Sequence, residues 1–208
     1  MKKLNLFMKD SYIALHNALT TPSMLTLLAK FGYNEKKIRE AMDRLQQIKQ
    51  IILLRNEASN VSRSATRNLQ LAKDTLLSLF NIHLETARLA FKREADYHDD
   101  LNICARRKGA TMDWLEQAER FYATVPQPMM EKYNVLPQEL EQASQLLVQV
   151  MDLMAAQSSA KSREQELTKQ RNEQVEALKI WMRQFMRVAE VALSESPQQL
   201  EALNKVVA

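Results

Sequence analysis

Residues 138–193 read QELEQASQLLVQVMDLMAAQSSAKSREQELTKQRNEQVEALKIWMRQFMRVAEVAL. No Gly or Pro interrupts the chain from Gln138 to Ser196, and none occurs from Tyr33 to Lys108. Leu146, Leu153, Ala160, Leu167, Gln174, Trp181 and Val188 recur every seven residues. Ala143, Val150, Gln157, Glu164, Arg171, Leu178, Phe185 and Ala192 form the companion set. A period of seven is that of a helix whose apolar seam packs in a left-handed, coiled-coil-like manner. The middle of the stretch, Gln157–Gln174, is polar, so a helix–helix turn near Lys161-Ser162 competes with one uninterrupted helix. A turn resets the phase of a stripe; here the phase carries through, which favours the uninterrupted helix.

The same pattern occurs once before. Shifted by 102 positions, residues 30–106 lie over 132–208 without a gap. Eleven identities in 77 pairs, such as Ala41/Ala143, Leu45/Leu147, Leu76/Leu178 and Ala87/Ala189, do not by themselves prove a repeat. The apolar pattern adds to them through Ile38/Leu140, Ile48/Val150, Leu79/Trp181 and Phe91/Leu193. In the first copy Ile51, Ala58, Ala65, Ala72 and Leu79 keep the seven-residue phase across the polar stretch Arg55–Asn68, where the competing turn falls near Ser59-Asn60. Each copy therefore predicts a helix of about 55–60 residues and about 85 Å, over 35–93 and 138–193. The expected fold is all-α: an elongated antiparallel helical bundle with an internal pseudo-two-fold duplication. Its modules span residues 1–106 and 107–208, expected to intertwine as one structural unit.

Composition agrees. Two Gly and five Pro among 208 residues leave few breakers, and Leu, Ala, Gln, Glu, Lys, Arg and Met lose little freedom in a helix. Gly32 and its counterpart Asn134 are the two residue types that tolerate positive φ, so both mark a helix-closing turn. Asn34 is placed to cap the first long helix, and Pro137 suits the first position of the second. Ser196-Pro197-Gln198-Gln199 reads as a capping box opening a terminal helix. Upstream, Leu4, Phe7, Met8, Tyr12, Leu15 and Leu19 trace one amphipathic face. Trp114, Leu115, Ala118, Phe121 and Tyr122 trace another. Trp114, Phe121, Leu178, Trp181, Phe185 and Ala189 are expected in the core.

The run Trp114-Leu115-x-x-Ala118-x-x-Phe121-Tyr122 resembles a motif of a family of bacterial all-helical proteins built from two tandem modules. So do Trp181-Met182-x-x-Phe185-x-x-Val188-Ala189-x-x-Ala192-Leu193 and Pro197-Gln198-x-Leu200-x-x-Leu203. The resemblance spans roughly residues 25–208. Members often carry Gly where this chain has Ser162, as a turn there would require. The family has no established activity, so the resemblance implies a fold and no chemistry.

The chemical inventory is thin. A di-iron bundle needs Glu-x-x-His on two helices, and no Glu-x-x-His occurs among His16, His83 and His98. His83 aligns with Phe185 and is expected as a core histidine with a polar partner. His98-Asp99-Asp100 is expected to be solvated. Cys104 is the single cysteine, near three basic residues that favour a thiolate, with no neighbouring His as base. No P-loop, GxGxxG, HExxH or GxSxG is present. No catalytic residue, metal or cofactor is expected, and the protein is expected not to be an enzyme.

Net charge is +4, with 17 Lys and Arg against 11 Asp and Glu in residues 1–106 and 12 against 14 in the rest. No stretch approaches a membrane span, and the lone cysteine and polar N-terminus point to a cytoplasmic setting. Three functions compete. The first is a scaffolding or assembly protein, a homo-oligomer or partner of another helical protein. Its candidate contact is the polar middles, with Arg55, Arg63, Arg67, Lys161, Arg163, Lys169 and Arg171. The second is a binder of nucleic acid or an anionic membrane surface through the basic half. The third is a helical enzyme or carrier of a small ligand, with a pocket lined by Trp114, Trp181 and methionines.

Overall fold

The computed structural model describes residues 2–94, 96, 97, 101, 103 and 110–203. Seven helices occupy them: α1 (Lys2–Thr20), α2 (Pro22–Lys30), α3 (Glu35–Ala90), α4 (Thr111–Thr124), α5 (Gln127–Glu131), α6 (Pro137–Ala192) and α7 (Pro197–Ala202). No strand occurs among the described residues. The fold is an all-α bundle. Cys104, His98-Asp99-Asp100 and the basic run 106–108 lie outside the described residues.

α3 and α6 are each 56 residues long, about 84 Å at 1.5 Å per residue, and they start and stop 102 positions apart. Both polar middles are helical throughout; neither the turn near Ser59-Asn60 nor the one near Lys161-Ser162 forms. The ends match as well. Tyr33 N–H bonds Leu28 O at 3.1 Å and Gly32 N–H bonds Ala29 O at 3.0 Å; 102 residues on, Val135 N–H bonds Met130 O at 3.2 Å and Asn134 N–H bonds Glu131 O at 3.0 Å. Each is the two-bond closure of a helix C-terminus, with Gly32 at φ 82° and Asn134 at φ 62°.

The two starts are capped differently. Asn34 Oδ1 accepts from Lys37 N–H at 3.0 Å before α3. Before α6, Glu139 reaches back and accepts from Leu136 N–H at 3.1 Å. Both devices satisfy a donor the helix leaves open. The capping box expected at Ser196 does not form: Ser196 makes no side-chain cap bond, and the Gln199 amide instead donates to Ser23 Oγ at 3.0 Å. A tertiary partner on α2 outcompetes the local one.

The chain forms two compact units, residues 1–58 with 163–208 and residues 59–162. Unit 1 takes the first part of α3 and the last part of α6; unit 2 takes the last part of α3 and the first part of α6. Each unit therefore draws on both sequence repeats. In unit 1, α1, α2 and Tyr33 pack on Ile38, Leu45 and Ile48 of α3 and on Leu178, Met182 and Phe185 of α6. In unit 2, α4, α5 and Val135 pack on Leu140, Leu147 and Val150 of α6 and on Leu76, Phe80 and Leu84 of α3. Equivalent residues fill equivalent places: Ile38/Leu140, Leu76/Leu178, Phe91/Leu193 and Leu101/Leu203 are all buried.

α3 and α6 run antiparallel. Arg55 Nη2 lies 3.4 Å from Glu164 Oε1, and Gln157 Nε2 donates to Thr66 Oγ1 at 3.1 Å, so partners on α6 descend as α3 ascends. Ala58, Ser59 and Ser62 are buried in this stretch. The polar middles are thus partly an internal seam of small and hydrogen-bonding residues.

Candidate interaction surface

The basic residues singled out in the polar middles divide by environment. Arg55 is two-thirds or more shielded and paired with Glu164. Arg171 is half-buried and donates to its neighbour Asn172 Oδ1 through Nη2 at 2.8 Å and Nε at 3.2 Å. Arg63, Arg67, Lys161, Arg163 and Lys169 are exposed.

Of the residues expected in the core, Trp114 and Phe121 are buried in unit 2, and Leu178, Phe185 and Ala189 are buried in unit 1. Trp181 sits at the edge of the unit 1 core, partly exposed, stacked on Phe185 at 5.3 Å between centroids and meeting Tyr33 edge-on at 5.4 Å. Trp114 belongs to the unit 2 core and Trp181 packs at the edge of the unit 1 core. Met130, Met182 and Met186 are core residues, whereas Met112 and Met151 are exposed.

His83 is buried in unit 2, with Nδ1 3.1 Å from the Tyr122 hydroxyl. Burial pushes its pKa below the usual histidine value, and the nearby Glu139 carboxylate opposes this only in part. A neutral imidazole with one hydrogen-bond partner results. The Tyr122 hydroxyl is itself pushed well up by burial. Enclosed by Phe80, Phe121 and the α3–α4 packing, the pair fits a structural role. Among the described residues no group of three or more His, Cys, Asp or Glu is arranged to hold a metal ion.

What the described surface offers is apolar. On α3, Leu53, Leu54, Val61, Leu71, Ile82 and Leu89 face solvent, and on α6 Val148, Met151, Ile180 and Val191 do so, each between 43% and 64% exposed. Leu54 and Val61 are seven residues apart, as are Ile82 and Leu89, and the same register carries Asn68 and Thr75 between the two pairs. Leu89 and Val191 are repeat equivalents, so both copies expose the same position.

Two grooves accompany these residues. In unit 2, α4 and α6 flank one of about 180 Å³, with Leu115, Leu147, Val148, Met151 and Met112 as its floor and Glu116 and Glu119 among its walls. That is below the about 300 Å³ at which sites for drug-sized ligands begin. In unit 1, α1 and α3 flank a shallow one of about 560 Å³, lined by Met8, Tyr12, Ile52 and Leu53 with Lys9 and Lys49.

No helix among the described residues is long and apolar enough to cross a membrane. Compared with protein-family models, with characterised proteins and with solved structures, the chain matches none. Fold and surface define a duplicated all-α bundle with apolar side chains exposed on its long helices.

Proposed function

We propose that this is a non-enzymatic scaffolding or assembly protein that works by self-association through its helical faces. The observation that carries the proposal is the set of large apolar side chains left in solvent on α3 and α6, including two pairs seven residues apart on α3. Single exposed apolar residues are ordinary, but rows and grooves of them mark association surfaces. Light scattering of the purified chain from micromolar to millimolar concentration tests it. A mass of at least twice 24.1 kDa is expected. A monomer throughout that range overturns the proposal.

A second reading, binding to nucleic acid or an anionic membrane surface, is favoured by one feature of unit 1. Lys3, Arg171 and Lys179 gather around Leu4, Phe7 and Val175 in a groove between α1 and α6. Binding to either polyanion that collapses as salt rises would support it.

A further inference from the structure

The two units each carry a groove between a leading helix and a long helix, and the charged side chains beside the two grooves have opposite sign. Each lies between a short leading helix and the early turns of the long helix of the same repeat. Position 49 of the first repeat and position 151 of the second, 102 apart, line them both, as Lys49 and Met151. Both present apolar surface, but the chemistry around it has diverged. In unit 1 the Lys49 ammonium stands 5.1 Å from the centre of the Tyr12 ring, with Lys9 on α1 and the exposed Leu53 on α3. In unit 2 the α4–α6 groove has Glu116 and Glu119, with the exposed Met112, Val148 and Met151. The units differ the same way as wholes: unit 1 carries 17 Lys and Arg against 12 Asp and Glu, unit 2 carries 12 against 13.

We propose that the lysine-bearing α1–α3 groove of one copy docks on the glutamate-bearing α4–α6 groove of a second copy of this chain. The inference rests on the self-association proposed above and names the surfaces that meet. Like grooves cannot pair well, because Glu116 and Glu119 would face their own kind, as would Lys9 and Lys49. Unlike grooves bring two lysines to two glutamates over a shared apolar floor, and Met112 and Met151 adapt to a partner surface through flexible thioethers. Such contacts are heterologous, so a docked pair leaves one free groove of each sign for further copies until a ring closes or a chain grows.

The test uses the full chain with two paired substitutions, Lys9→Glu with Lys49→Glu and Glu116→Lys with Glu119→Lys. All four side chains are exposed, and circular dichroism melts check that each variant keeps the parent fold. At low salt each variant alone is expected to associate at least about tenfold more weakly than the parent, by sedimentation or light scattering. Mixing the two variants is expected to restore the parent affinity, because every groove then meets its opposite. If both variants associate as well as the parent, or the mixture is no better than either alone, the groove assignment fails while self-association stands. If the parent itself stays monomeric, both fail.

Discussion

His83 occupies the position that Phe185 fills in the other repeat, and the exchange of a hydrocarbon ring for a titratable one has a thermodynamic consequence. Its folded pKa lies below the unfolded value of about 6.5 because burial disfavours the cation. Below pH 6.5 the unfolded chain therefore binds more protons than the folded one, and stability falls as pH falls through the folded pKa. Above pH 6.5 this contribution is complete. Thermal melts between pH 8 and 5 are expected to show the decline, and His83→Phe, which installs the residue of the sister repeat, is expected to flatten part of it. The aromatic pair of unit 1 divides in the same concrete way. Phe185→Ala empties a fully buried site and is expected to cost about 3–5 kcal/mol. Trp181→Ala removes a ring that is partly in water and is expected to cost less; urea unfolding of both measures the order. The polar partner of His83 was foreseeable, since it aligns with an apolar position. Tyr12 was not: it lies on the apolar spacing of α1, yet it is 39% exposed while its neighbour Ser11 is buried. Spacing by threes and fours defines a face to within about one residue, and the packing of α1 on α3 and α6 decides which neighbour turns inward.

Among the helices, the closing turns before α3 and α6 show how far a repeat sharpens local inference. One Gly signals a turn weakly; Gly32 aligned with Asn134 signals a shared positive φ, because few other types tolerate it. At Gly32 an added Cβ would meet nothing within 4 Å, so Gly32→Ala isolates the backbone cost. A loss of about 1–2 kcal/mol is expected from equilibrium unfolding, and Gly32→Asn, borrowing the sister residue, is expected to lose less. The continuity of the long helices was legible from preserved phase, although composition alone argued equally for a turn. What tips the balance is tertiary: Ser59 and Ser62 are buried, and Gln157 bonds Thr66 across the antiparallel pair. Such a seam of small polar side chains looks, in one dimension, like a solvated linker. Ser162→Pro should break it, costing about 3 kcal/mol or more in the unfolding free energy; Ser162→Gly should cost no more than about 1 kcal/mol.

For the molecule as a whole, the assignment of helix segments to units matters most. The unit 1 core needs Ile38, Leu45 and Ile48 from the first repeat and Leu178, Met182 and Phe185 from the second, and unit 2 has the reciprocal need. Residues 1–106 and 107–208 expressed separately are each expected to lack half of both cores. Far-ultraviolet circular dichroism should find each fragment loosely structured or self-paired, and mixing them should recover the melting behaviour of the intact chain. The periodicity of the sequence pointed to the two long helices because apolar spacing is a property of the core, but it placed the modules at 1–106 and 107–208 and did not show which helix halves share a unit. The candidate surface was less legible, because an exposed Leu54 or Val148 is indistinguishable in sequence from a buried one. The polar middles, expected as exposed helical surface, hold Arg55 already engaged with Glu164.

That reciprocal construction means a lone copy of the repeat could complete its cores only by borrowing from another copy. Joining two copies in one polypeptide replaces that encounter with a tethered one, at an effective concentration in the millimolar range. Dilution no longer dismantles the molecule, since neither partner can diffuse away. It also lifts a constraint that identical subunits must obey: a mutation now falls on one side only. Lys49 and Met151 can differ because no symmetry operation forces them to be the same residue, and two units of unlike surface chemistry are what that freedom produces.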